Sequence, residues 1–146
     1  MESHKLAQRV EQLEGFLRFL TAAQTEIRYS AVDVAQIVQR HGSGLGFLRK
    51  CAQCCRDGWD FQSAWEEGLR SGAKGTGLTE KDISVLRRFG AGFGASDLEG
   101  QLSHCDLYAQ LVNNSLESAR EDKNRKGKLY FMLGSFSGVT VALLLC

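Results

Sequence analysis

From Leu6 the apolar residues recur at Val10, Leu13, Leu17, Leu20 and Ile27, with Gln24 as the one polar interruption. A three-four spacing held over about six turns fixes a single apolar stripe along an α-helix and does not suit a strand, whose side chains alternate with period two. Phe16 and Phe19 broaden the stripe beyond a two-stranded seam, so this helix is expected inside a bundle rather than in a free coiled coil. No proline occurs in the 146 residues. Proline ends helices and marks loops, so its absence fits a chain that is helical over most of its length.

Further periodic runs follow. Ser30 to Asp33 has the pattern of a capping box, with a helix carrying Val34, Ile37 and Val38 after it and a glycine-rich stop from His41 to Gly46. Phe47, Leu48, Cys51, Cys54 and Cys55 mark a third helix that ends at Asp57 and Gly58. A fourth, from about Trp59 to Leu69, gathers Phe61, Ala64, Trp65 and Leu69 and turns Glu66 and Glu67 outward. Residues 71–77 hold three glycines and read as a mobile loop. Thr79 and Asp82 restart a helix with Ile83, Val85, Leu86, Phe89 and Phe93, which Gly90, Gly92 and Gly94 are expected to interrupt. Ser96 and Glu99 then cap a long helix with a Leu98, Leu102, Cys105, Leu111, Val112, Leu116 seam. The expected architecture is all-α: about six helices, two long and antiparallel, enclosing the short ones.

At the C-terminus the chain changes character. Residues 120–128 contain five basic and two acidic side chains, a local charge of +3, and residues 129–146 contain no Asp, Glu, Lys or Arg at all. Those 18 residues reach the lower limit of a spanning helix, about 17–25 residues. Lys126 and Lys128 sit where basic residues hold the cytoplasmic side, and Tyr130 where aromatic rings favour the interface. The expected organisation is a cytoplasmic bundle over residues 1–128 and a transmembrane helix over 129–146. The alternative is a buried core helix, since Ser135, Ser137 and Thr140 soften the segment. Gly134 and Gly138 have the small-xxx-small spacing that permits close helix approach, and so permits a homo-oligomer.

The chemistry of an enzyme is hard to find. Eighteen Lys and Arg against seventeen Asp and Glu leave a net charge of +1, which gives no electrostatic reason to expect nucleic acid. The five cysteines are odd in number, and the polar residues 1–5 do not resemble a signal peptide, which favours a reducing compartment. Cys51, Cys54 and Cys55 lie on one helical face and admit two readings, a metal or redox site in a soluble or peripheral thiol protein, or simple packing; no second pair at matching spacing exists, which favours packing. Gly90, Gly92 and Gly94 follow a helical pattern rather than the strand a phosphate-binding loop needs. His4, His41 and His104 lie in three separate segments. No cofactor or metal is expected, and a tail-anchored adaptor whose bundle binds peptides is a further non-enzymatic reading.

Glu26, Ile27, Arg28, Tyr29 and Ser30 at the end of the first helix, Trp65, then Phe89, Gly90, Phe93, Gly94, Ser96, Asp97 and Gln101, and finally Lys126, Gly127, Lys128 and Leu129 with Leu133 and Gly134, stand in a characteristic order. In that order the chain resembles the stage III sporulation protein AB family from about residue 5 to its end. The resemblance implies a non-enzymatic membrane protein of endospore formers, made in the mother cell and facing the engulfed forespore. Its helical domain would be similar to those of type II secretion F and pilus platform proteins, and its partner would be the stage III sporulation protein AA ATPase. Glu26, Arg28, Tyr29, Ser96, Asp97 and Gln101 are the positions it singles out for fold-defining or partner contacts, and Lys126, Lys128, Tyr130, Gly134 and Gly138 for the membrane. Members usually open with an apolar helix and carry proline after the Glu26 stretch; here residues 1–5 are polar and Ala31 to Val34 lack proline, so a trimmed start or a single anchor is expected, with an earlier start to the second helix.

Overall fold

A computed structural model describes the backbone of residues 2–135 and the side chains of residues 4–125. Within these residues the chain forms six helices and no strand: α1 (Glu2–Tyr29), α2 (Val34–His41), α3 (Gly46–Arg56), α4 (Phe61–Gly72), α5 (Glu80–Gly92) and α6 (Leu98–Ser135). The two long helices, α1 and α6, pack against each other, and α3 packs against α4. They run antiparallel, because Gln24 near the end of α1 donates to Asp106 early in α6 (2.6 Å), and Glu14 accepts from Arg120 further along it (2.7 Å).

Helix starts are set by side chains that accept the orphan N–H groups of a first turn. Asp33 caps α2 in a capping box with Gln36, so the cap is Asp33 and not Ser30, and the helix begins later than the sequence suggested. Asp60 caps α4, which leaves Trp59 outside the helix and 48% exposed. Thr79 and Asp82, where the sequence restarts a helix, form a reciprocal capping box on α5. On α6 the Asp97 carboxylate accepts from the Gly100 N–H (2.9 Å), so Asp97 takes the role expected of Ser96.

The core is built around rings. Phe16 of α1 meets Phe89 of α5 edge to face at 5.4 Å, and Phe47 of α3 meets Trp65 of α4 at 5.6 Å and 87°. Trp65 also donates its indole N–H to the Leu86 carbonyl (2.9 Å), so its one polar atom is satisfied in the interior. Gly90 lies in contact range of that indole, where any Cβ would collide with it. Glycine at this position therefore makes room for the indole, and α5 runs through it to Gly92. The turn falls at Gly94, whose φ of +87° suits glycine. In the same way Gly68 and Gly72 of α4 let its backbone press against Phe47 and Cys51 of α3.

The loop over residues 73–79 is tied down rather than merely connecting. Gly77, at φ +86°, sits against the backbone of Lys5 and Arg9 in α1, and the Thr76 hydroxyl donates to the Ala73 carbonyl. At the C-terminal side, α6 does not stop after Leu116. It continues as one helix across residue 128, so the boundary between bundle and apolar segment is not a break in the backbone. Among the described residues no helix is long and apolar enough to cross a membrane, and residues 136–146 of the expected span lie outside them.

Candidate functional site

All six positions singled out from the sequence lie at one end of the bundle, where α1 finishes and α6 begins, and four of them, Glu26, Ser96, Asp97 and Gln101, are held in side-chain hydrogen bonds there. The Glu26 carboxylate accepts from Arg40 Nη1 and lies against His41 Nε2, both at 3.0 Å, so the last turn of α1 is tied to the end of α2. Arg40 chiefly, then Ser30 and His41, hold the Glu26 carboxyl well below the usual range, at about 2.

Gln101 works on the junction between α5 and α6. Its side chain is buried (6% exposed); Oε1 accepts from the Gly94 N–H at 2.7 Å, and Nε2 donates to the Gly92 carbonyl at 3.3 Å and to Ser96 Oγ at 3.0 Å. One amide therefore satisfies the turn from α5 into α6, and Ser96 and Asp97 complete it. His104, one turn along, bonds to the Phe89 carbonyl (2.8 Å) and stacks on the Phe89 ring at 5.0 Å. These groups are spent on the fold.

Arg28 and Tyr29 are placed differently. Both lie exposed on the last turn of α1, Tyr29 at 77%, and among the described residues neither is tied into a hydrogen bond or an ion pair. Of the six positions these two alone make no side-chain bond among the described residues. Of the membrane positions, Lys126, Lys128, Tyr130 and Gly134 lie on α6 with their side chains outside the described set, and Gly138 lies outside the described residues altogether.

The thiol cluster belongs to the core. Cys51 and Cys54 are buried, Cys55 is partly covered, and burial pushes the Cys51 and Cys55 thiols up, which opposes the thiolate that a ligand or nucleophile requires. Burial likewise lifts Cys105, to about 11. Among the described residues no three His, Cys, Asp or Glu side chains converge as a metal site.

One polar feature escaped the sequence. Asp82, 1% exposed, receives Arg9 Nε at 2.7 Å and Nη2 at 2.9 Å while also accepting from the Thr79 N–H. This bidentate bond, stronger than the opposing effect of burial, raises the Arg9 pKa. The two residues are 73 positions apart. The only local signal is the capping box, which accounts for Asp82 without requiring a partner.

A sequence model of the family described as stage III sporulation protein AB matches residues 1–146. A solved structure titled stage III sporulation protein AB superposes with a TM-score of 0.70 at 20% identity, over 81% of this chain and 98% of the other, which establishes a common fold. No curated protein matches. With the family match running from the first residue to the last, the chain belongs to the stage III sporulation protein AB family of sporulation proteins.

Proposed function

We propose that this protein is a non-enzymatic, membrane-anchored platform component of the transenvelope complex that joins mother cell and forespore during endospore formation. Residues 1–128 are its cytoplasmic bundle, residues 129–146 anchor it, and the stage III sporulation protein AA ATPase is its working partner. The observation that carries the reading is α6 itself: one helix runs from the Gln101 clamp, along the whole of α1, and into the uncharged segment. A force applied to the bundle reaches that segment through continuous backbone hydrogen bonds rather than through a flexible linker. The exposed pair Arg28 and Tyr29, at the end of the bundle far from the anchor, is the surface on which we place the ATPase contact.

The test is deletion of the gene in its host, with heat-resistant spores counted and the stage of arrest scored. Full-length protein is expected to restore spores after a block that follows engulfment, while residues 1–128 alone are not. Normal sporulation in the deletion strain would remove the proposal. Rescue by residues 1–128 would remove the anchor from it.

A further inference from the structure

The antiparallel pairing of α1 and α6 acts as a ruler. Glu14 meets Arg120 and Gln24 meets Asp106, and carried along the two antiparallel helices these pairings bring Lys5 level with residues 125–129, at the threshold of the uncharged segment. Leu129 is where charge disappears from the chain. Gly77 rests on the backbone of Lys5 and Arg9, and Asp82 is clamped to Arg9, so the loop before α5 and the first turn of α5 are held at the same level. Three segments distant in sequence, residues 2–8, 74–81 and 121–128, thus ring the point at which the uncharged segment begins.

Their charge is not that of the molecule as a whole. Together these segments hold seven Lys and Arg against four Asp and Glu, a net +3, whereas the complete chain carries +1 and the remainder therefore −2. Lys5, Lys74, Lys81, Lys123 and Arg125 are all exposed. Of these, Arg125 alone lies near a described carboxylate, that of Asp122, at 3.8 Å.

We propose that this end of the bundle is a docking surface for an anionic bilayer, with Lys5, Lys74, Lys81 and Lys123 set against phospholipid headgroups. The inference rests on the anchoring of residues 129–146 proposed above and adds a second, electrostatic hold. The anchor fixes where the chain enters the bilayer, and the ring of lysines fixes how the bundle stands on it. A negative leaflet attracts juxtamembrane cations, and the attraction decays within a Debye length, so only charges at this level take part.

The experiment is lysine acetylation footprinting, read by mass spectrometry, on the full chain reconstituted into vesicles. Two compositions are compared, phosphatidylcholine alone and phosphatidylcholine with phosphatidylglycerol, and flotation confirms in each that the chain is membrane-bound. Modification of Lys74 and Lys81 is expected to slow about fivefold on the anionic vesicles, which corresponds to about 1 kcal/mol per lysine. Lys50, exposed on α3, should be modified equally on both, and the protection should vanish in molar salt. Equal modification of Lys74 and Lys81 on the two vesicles, with the chain floating on both, would overturn this inference and leave the anchor intact. Protection that survives molar salt would also overturn it. A chain that fails to float would overturn the anchor and this inference together.

Discussion

Around Phe16 the short helices are held ring against ring, with Phe47, Trp65, Phe89 and Phe93 all sealed from solvent. Along α1 and α6, by contrast, the cross-helix polar bonds are exposed pairs, Gln24 with Asp106 and Glu14 with Arg120, and α6 gives the core only modest side chains such as Val112, Leu116 and Ala119. Burial of apolar surface carries more free energy than exposed ion pairs do, so the first region fixes the fold and the second mainly fixes alignment. That division suits the proposed work: a rigid hub attached to a long helix whose alignment against α1 is fixed by buried Val112, Leu116 and Ala119 and trimmed by the exposed pairs.

The largest effect is expected from Trp65→Ala, which removes the centre of the ring cluster and the bond to Leu86, and should lower unfolding free energy by about 3–5 kcal/mol in a denaturant titration. A loss of under about 1 kcal/mol, within the range of an ordinary surface change, would dissolve the contrast between the regions. Asp82→Ala comes next at about 3 kcal/mol, because it strands Arg9 largely buried and also removes half of the α5 capping box. The double variant Arg9→Met, Asp82→Leu should recover most of that, since replacing both charges avoids the stranded one.

Gln101→Leu should cost about 1–3 kcal/mol by leaving the Gly94 N–H and Gly92 carbonyl without their partner, with proteolysis between α5 and α6 as a local readout. Glu14→Gln is expected to cost less than about 1 kcal/mol, in keeping with an exposed pair. Glu26→Gln is best read by pH. The native carboxyl titrates at about 2, below its unfolded value of about 4.3, so its contribution is complete above that unfolded value and is lost as pH falls towards 2. The parent chain should therefore lose more stability than the Glu26→Gln variant over that window; parallel acid profiles would show that the link from α1 to α2 does not depend on the charge.

Much of this arrangement was legible in advance where the signal was local. Apolar spacing located every helix, because one buried face per helix is what a bundle imposes, and Phe16 and Phe19 announced a face too wide for a coiled coil. Cap positions were less secure: Ser30 and Ser96 satisfied the pattern, yet Asp33 and Asp97 stand at the positions whose carboxylates reach the free N–H groups. Gly90 looked like a helix breaker because the sequence cannot show that an indole from another helix occupies the space a side chain would need. Gln101 stands out in the sequence only through the family resemblance, because its three partners are backbone and hydroxyl groups brought together only by the turn. Arg9 with Asp82 left no trace, since two charged residues 73 positions apart look like any other solvated pair until the fold closes.

The central claim is that α6 joins the bundle to the anchor as one stiff element. Gly127→Pro tests it most directly, because proline there removes an intrahelical hydrogen bond and clashes with the preceding turn, beyond the Glu14–Arg120 contact and just before the uncharged segment. The variant, introduced in place of the native gene, is scored for heat-resistant spores and for recovery of the protein with membranes. The account predicts protein present at the parental level in the membrane fraction, with spore formation lost. Parental spore counts from that strain would contradict it, because the bundle and anchor would then work without a continuous helix between them.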